Sequence, residues 1–183
     1  TVEQNIVLRW VSESDIPQLY ADLAELNLHE SGAGTIVDVT ACPGTDTCKL
    51  GISSSRGLAA ELRRRLAAKS MGLDEAIKNM RIKISGCFNS CGQHHAADLG
   101  FYGNSRKING YAVPHFQVVL GGQWTENAAS YGLAMGAVPS KNVPEVITRI
   151  TDSYVQNRGK GESFQDYIKR IGKKSVKDLL QDL

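Results

Sequence analysis

Ala41-Cys42-Pro43-Gly44-Thr45-Asp46-Thr47-Cys48 and Ser85-Gly86-Cys87-Phe88-Asn89-Ser90-Cys91-Gly92 carry the strongest signal in this chain. They hold all four of its cysteines, spaced Cys42-x5-Cys48 and Cys87-x3-Cys91. Each pair sits in a turn rich in Gly, Pro or Asn, and each turn follows a β-prone run. Thr35-Ile36-Val37-Asp38-Val39 delivers the chain to Cys42, and Met80-Arg81-Ile82-Lys83-Ile84 alternates as a strand before Gly86 opens the second turn. Residues 51–69 read as a helix, with Ile52, Leu58, Ala59, Leu62 and Leu66 on one side. After Cys91, Gly92-Gln93-His94-His95 reads as a short helical stretch. The plan of strand, cysteine loop and helix is therefore used twice, and it predicts an α/β (α+β) fold built on a mixed sheet with packed helices. Ligands in such sheets collect beyond the carboxyl ends of the strands, where both loops fall.

Four thiolates drawn to one point suit a [4Fe–4S] cluster, in which each iron takes one cysteine sulfur. Two other readings compete. Structural zinc favours Cys pairs two to four residues apart, and the five-residue gap fits that habit poorly. Disulfides are the third, but a chain of this size has no need of staples and nothing points to an oxidising compartment. An iron–sulfur site leads.

Outward from the loops, Asn5-Ile6-Val7-Leu8-Arg9-Trp10-Val11 is β-prone. Ser14 is placed to cap a following helix with Pro17 in its first turn, and Ile16, Leu19, Tyr20, Leu23 and Leu26 give it an apolar stripe. Glu30-Ser31-Gly32-Ala33-Gly34 marks a boundary. Two more strands are expected at 99–103 and 115–120, related as a hairpin across the turn-rich 104–110. Residues 132–144, marked by Gly and Pro, read as a loop before a helix carrying Val146, Ile147, Ile150 and Tyr154. Past Asn157, Arg158-Gly159-Lys160-Gly161 is a joint. Ser163 with Asp166 then forms a capping box for a helix bearing Phe164, Tyr167, Ile168 and Ile171, ended by Gly172. These breaks divide the chain into 1–34, 35–157 and a helical tail, 158–183.

Composition excludes several classes. The 183 residues carry a formal charge of +2, with 21 basic and 19 acidic residues, so no nucleic-acid partner is expected. Arg63-Arg64-Arg65 reads as the solvated carboxyl-terminal side of its helix. No apolar run approaches a membrane span, and no charged-then-apolar signal segment opens the chain. It starts at Thr1 without a Met, which reads as part of a longer polypeptide.

The cysteine pattern resembles that of the sirohaem-binding sulfite and nitrite reductases. Further likenesses are Ala41-Cys42-Pro43-Gly44, the loop from Gly86 to Gly92, Ala97-Asp98-Leu99-Gly100-Phe101-Tyr102-Gly103, Val119-Leu120-Gly121-Gly122, and Thr1-Val2-Glu3-Gln4-Asn5, similar to the opening of that family's ferredoxin-like repeat. The resemblance implies that 1–34 is the end of a ferredoxin-like unit and 35–157 the cluster and sirohaem domain. It also implies that Cys42, Cys48, Cys87 and Cys91 bind a [4Fe–4S] cluster, that Cys91 is in addition the axial, bridging ligand of the sirohaem iron, and that Asn89 lies against the macrocycle. The implied activity is six-electron reduction of sulfite to sulfide or nitrite to ammonium in the cytoplasm, fed by ferredoxin or a flavoprotein. The family's cationic substrate clamps lie largely in an amino-terminal half that this sequence lacks. Arg106 and Lys107 read as solvated turn residues, and His94 and His95 as structural or cofactor-lining ones. Trp10, Trp124 and Phe116 read as core or domain-contact residues. The alternative is a stand-alone [4Fe–4S] electron-transfer module without sirohaem.

Overall fold

Five strands form one sheet in chain order: β1 (Thr40–Ala41), β2 (Ile82–Ser85), β3 (Leu99–Ile108), β4 (Tyr111–Leu120) and β5 (Leu133–Pro139). β1, β2 and β3 run parallel, and β3, β4 and β5 antiparallel. The sheet is mixed, as the sequence predicts. The computed structural model describes residues 1–69, 72–124 and 130–183. Between β1 and β2 the chain crosses over through α2 (Ser55–Ala67) and α3 (Glu75–Lys78). From β2 to β3 it crosses in about a dozen residues, near the minimum for a parallel connection, and these hold the second cysteine pair and a 3₁₀ turn, His94–Ala96. Both cysteine loops consequently leave the carboxyl ends of adjacent parallel strands.

The core follows from the alternation. Ile82 and Ile84 of β2, Leu99 and Phe101 of β3 and Phe116 and Val118 of β4 are fully buried, clustered with Leu58 and Leu62 of α2 and Val146 and Ile150 of α4 (Val143–Asn157). Each such side chain stabilises the fold by about 2 kcal/mol through burial. All four β2 residues are buried, so polar Lys83 and Ser85 are enclosed with Ile82 and Ile84. The tail joins the same core. Phe164, Tyr167, Ile168 and Val176 of α5 (Phe164–Leu179) belong to it. Ser163 Oγ accepts the Asp166 N–H at 3.1 Å and donates to Asp166 Oδ2 at 2.8 Å, the capping box expected. Gly172, at φ 73° and ψ 167°, breaks the helical backbone where the sequence placed a stop.

Five expectations need correcting. Residues 5–11 form no strand: β-propensity without a neighbouring strand builds no ladder, and Ile6 and Trp10 are 88% and 93% exposed. The helix after them, α1 (Ile16–Glu25), follows a 3₁₀ turn at Glu13–Asp15, has no Ser14 side-chain cap and buries none of its stripe. Residues 35–39 are folded by local turns, with Gly34 N–H donating to Asp38 Oδ2 at 2.9 Å and Asp38 N–H to the Thr35 carbonyl at 3.0 Å; extended pairing starts only at Thr40. Residues 133–139, read as loop, are the edge strand β5. Its pairing skips Met135, since Val118 faces Gly136 and Val119 faces Ala134. That bulge, with Gly136 beside it and Pro139 at the edge, hid the strand's period. The hairpin is longer than expected, so Arg106 and Lys107 lie within β3, not in a turn. Phe116 is core, whereas Trp124 is 42% exposed beneath the Arg81 guanidinium, 5.2 Å from its ring centroid. Arg64 and Arg65 pair with Glu61 on the exposed face of α2.

His94 is fully buried: its Nδ1 lies 2.8 Å from Ser85 Oγ and its ring packs 4.7 Å from that of Tyr102. Burial, then the neighbouring His95, pull its pKa down to about 4. The unfolded chain takes up this proton more readily than the folded one, so stability rises with pH across the interval. Acidifying the iron-free chain from pH 6.5 to 4 should remove up to about 3 kcal/mol at this one residue, and in His94→Phe the pH slope of the urea midpoint should flatten there. Phe164→Ala should cost about 3–5 kcal/mol in the same assay, as for any large core truncation; a tail resting loosely on the surface would lose far less.

Candidate iron–sulfur centre

The two cysteine loops are joined by backbone. A Cβ on Gly86 would lie 2.5 Å from the Gly44 Cα, and one on Gly103 would lie 2.0 Å from the Gly86 carbonyl oxygen. Three segments distant in sequence therefore touch main chain to main chain, which only glycine permits. Ser53 stitches them further: its N–H donates to the Gly86 carbonyl at 3.0 Å, and its hydroxyl reaches the Asn104 and His115 carbonyls at 3.1 and 2.9 Å. Ile52 N–H shares the Gly86 carbonyl at 2.8 Å.

This contact brings the first loop's thiol to the second loop. Gly86 N–H donates to Cys42 Sγ at 3.0 Å, while Cys42 N–H donates to the Ile84 carbonyl at 3.1 Å. Ser55 Oγ donates to the Cys42 carbonyl at 2.7 Å and lies 3.5 Å from its sulfur. On the second loop Asn89 Nδ2 donates to Cys87 Sγ at 3.4 Å. Cys42 and Cys87 are buried; Cys48 and Cys91 are exposed. N–H donors aimed at sulfur stabilise thiolate and suit a thiolate-ligated metal group. The donor at Cys42 is the second loop's backbone, not the start of α2. Residues 49–54 intervene, and Ser54 Oγ takes the Gly57 N–H at the helix start. Among the described residues, no three His, Cys, Asp or Glu side chains are grouped to hold a single metal ion. One tetrahedral zinc would need its thiolates ~3.8 Å apart; a cube of four irons and four sulfides spaces its ligands more widely.

Around Cys91 the loop is curled by two residues in the left-handed region, Ser90 and Gln93, both at φ 59°. Gln93 N–H closes onto the Ser90 carbonyl at 2.8 Å, and its side chain accepts from Lys83 Nζ at 2.7 Å. Lys83 is 2% exposed. Burial lowers its pKa; Glu3 and Asp38 oppose that, and Arg81 adds to it. Ser85 Oγ receives the Gly92 N–H at 3.0 Å, so β2 grips the loop through two polar side chains. Behind it, half-buried Asp98 takes the Arg81 N–H and the Gln165 side chain, each at 2.6 Å; desolvation raises its pKa, and those two hydrogen bonds work against the rise.

The loops read from the sequence are thus adjacent, with Cys42 at the mouth of the second and Asn89 turned onto Cys87. Sequence reasoning passed over Ser53, Ser55, Lys83 and Gly103. The only signal for the serines was the run Ser53-Ser54-Ser55, and for Lys83 a charge inside an alternating strand.

Comparison with known proteins agrees in one direction. The family described as "Nitrite and sulphite reductase 4Fe-4S domain" matches residues 32–182. The sulfite reductase [ferredoxin] 2 of Mycolicibacterium paratuberculosis is 32% identical over 177 residues, covering 93% of this chain and 31% of that enzyme. The ferredoxin–nitrite reductase of Synechococcus elongatus is 27% identical over 150 residues, covering 82% of this chain and 28% of its own length. The solved structure of Mycobacterium tuberculosis NirA superposes with a TM-score of 0.74 at 28% identity, over 91% of this chain and 31% of NirA. A dissimilatory sulfite reductase, at TM-score 0.68 and 11% identity, shares the fold. The chain spans about a third of the length of the curated relatives it matches. With two cysteine loops interlocked at the carboxyl ends of adjacent parallel strands, and a family match across most of its length, this chain belongs to the nitrite and sulphite reductase 4Fe-4S domain family.

Proposed function

We propose that this chain is the cofactor-binding portion of a sulfite or nitrite reductase, with Cys42, Cys48, Cys87 and Cys91 holding a [4Fe–4S] cluster and Cys91 shared with the iron of sirohaem. The observation that carries the proposal is the Gly86 N–H to Cys42 Sγ bond, 3.0 Å long, between two loops forty residues apart. The donor set fits: four sulfur ligands on two loops, two of them already receiving N–H groups. When bound, the cluster and the macrocycle supply electron storage and a substrate-binding iron.

The chain's own residues have definable tasks. Gly86 N–H and the Asn89 amide withdraw charge from the Cys42 and Cys87 sulfurs, which raises the potential of a group ligated there. Asn89, two residues before Cys91, would line the macrocycle when it is bound. Lys83 and Ser85 fix the turn that carries Cys91. Residues 35–157 form the cofactor domain, 158–183 its helical tail, and 1–34 the end of a ferredoxin-like unit completed by the rest of the enzyme. Ile6, Trp10 and Tyr20 are exposed on this segment and are available to that contact. Ferredoxin or a flavoprotein supplies electrons in the cytoplasm, and sulfite or nitrite is the anionic substrate, clamped by cations from outside this chain. No described helix is long and apolar enough to cross a membrane.

Anaerobic reconstitution tests the assignment. The chain should take up iron and acid-labile sulfide in the equal ratio of a [4Fe–4S] cluster, with broad visible absorption, and Cys87→Ala should abolish both. Bound zinc without labile sulfide would overturn it. Asn89→Ala should keep the cluster and lower its reduction potential. In the complete enzyme Cys91→Ser should separate the electronic signals of the two cofactors and stop turnover; absence of any macrocycle band from that enzyme would favour a stand-alone electron-transfer module.

A further inference from the structure

β1 lies at the edge of the sheet and is only two residues long, yet it carries the chain straight into Cys42. Its inner side is held by β2, through Cys42 N–H to the Ile84 carbonyl. In a parallel strand alternate residues turn their N–H and C=O to opposite sides, so those of Ala41 face outward, where no strand follows. Both are taken by one side chain. Gln4 Nε2 donates to the Ala41 carbonyl at 2.9 Å, and Gln4 Oε1 accepts the Ala41 N–H at 3.2 Å. A primary amide, with donor and acceptor side by side, reproduces what a neighbouring strand would offer.

The backbone is bent to allow this. Gln4 sits in the left-handed region at φ 67°, closing a turn in which its N–H reaches the Thr1 carbonyl at 3.1 Å. A side chain other than glycine adopts that conformation at a cost, so the surroundings must hold it. The next residue adds an independent tie: Asn5 Nδ2 donates to Asp38 Oδ2 at 2.7 Å, and Asp38 also receives the Gly34 N–H. Two consecutive amides from the start of the chain thus fasten the segment that leads into the first cysteine.

We propose that Gln4 is a positioning residue for the metal site, a one-residue substitute for an edge strand that keeps the Cys42 sulfur seated against Gly86 N–H. The inference rests on the cluster assignment above for its metal-dependent part and on geometry alone for the rest. Gln4 is exposed, so Gln4→Ala should fold. In the iron-free chain, hydrogen exchange at the Ala41 amide should quicken about tenfold, as expected for a lost side-chain partner. In the anaerobically reconstituted chain, loss of iron to a chelator should speed up about fivefold, and the reduction potential should fall as the N–H to sulfur bond loosens. Val7→Ala, which removes an exposed side chain close by in sequence, should change none of these. Wild-type exchange at Ala41 in Gln4→Ala would overturn the proposal. So would a lower urea midpoint with unchanged chelator kinetics and potential, because Gln4 would then serve general stability only. If the wild-type chain took up no cluster, the functional assignment would fall, while the exchange measurement would still decide whether Gln4 closes the strand edge.

Discussion

Main-chain contact among Gly44, Gly86 and Gly103 is the constraint on which the site depends. These residues belong to the first cysteine loop, the second, and the strand that follows it. A methyl group at Gly103 would meet the Gly86 carbonyl at 2.0 Å, closer than atoms pack, so the three segments could not meet as they do with any other residue. Because they meet, the Gly86 carbonyl has two N–H partners from the run after Cys48 and the Gly86 N–H has the Cys42 sulfur. The backbone N–H and C=O of this one residue thereby set the distance between the loops. The parallel pairing of β1 and β2 brings the loops to the same end of the sheet, and the glycine contact fixes how close they come.

Much of this was legible beforehand, for a physical reason. The helices α2, α4 and α5 bury one face, and Leu58, Leu62, Val146, Ile150, Tyr167 and Ile168 recur at helical spacing. Periodicity records burial, so elements whose burial is periodic can be read. The cysteine spacing was legible because few groups need four thiols on two loops. Other parts left no such trace. β5 is bulged at an edge, which breaks its alternation. The run from Ile6 to Val11 has strand composition but no strand beside it, since pairing partners are not written in local sequence. Residues 35–39 lost their strand to turns held by the Asp38 carboxylate, a competition that side-chain acceptors often win.

Within the site, legibility was uneven for a similar reason. Cysteines announce themselves by type and spacing. The groups that place them are serines, glycines, a lysine and a glutamine, each common elsewhere and informative only through its partner. Lys83 shows this best. Its charge in an alternating strand looks like an outward-facing residue, but it is 2% exposed and bonded to Gln93 across the loop that ends at Cys91. A buried ammonium is costly without compensation. Here a neutral amide oxygen, with Glu3 and Asp38 nearby, offsets part of that cost.

The four thiols are not equivalent, and the asymmetry is built into the two loops. Cys42 and Cys87 are buried and already receive N–H groups at 3.0 and 3.4 Å. The fold has thus ordered them in advance, and little conformational entropy would be left to lose at these two positions on ligation of the proposed cluster. Cys48 and Cys91 are exposed, each the second cysteine of its loop. Each loop therefore pairs an anchored sulfur with an accessible one. Under the assignment proposed above, this division leaves Cys91 accessible on the side where a second metal centre would share its sulfur.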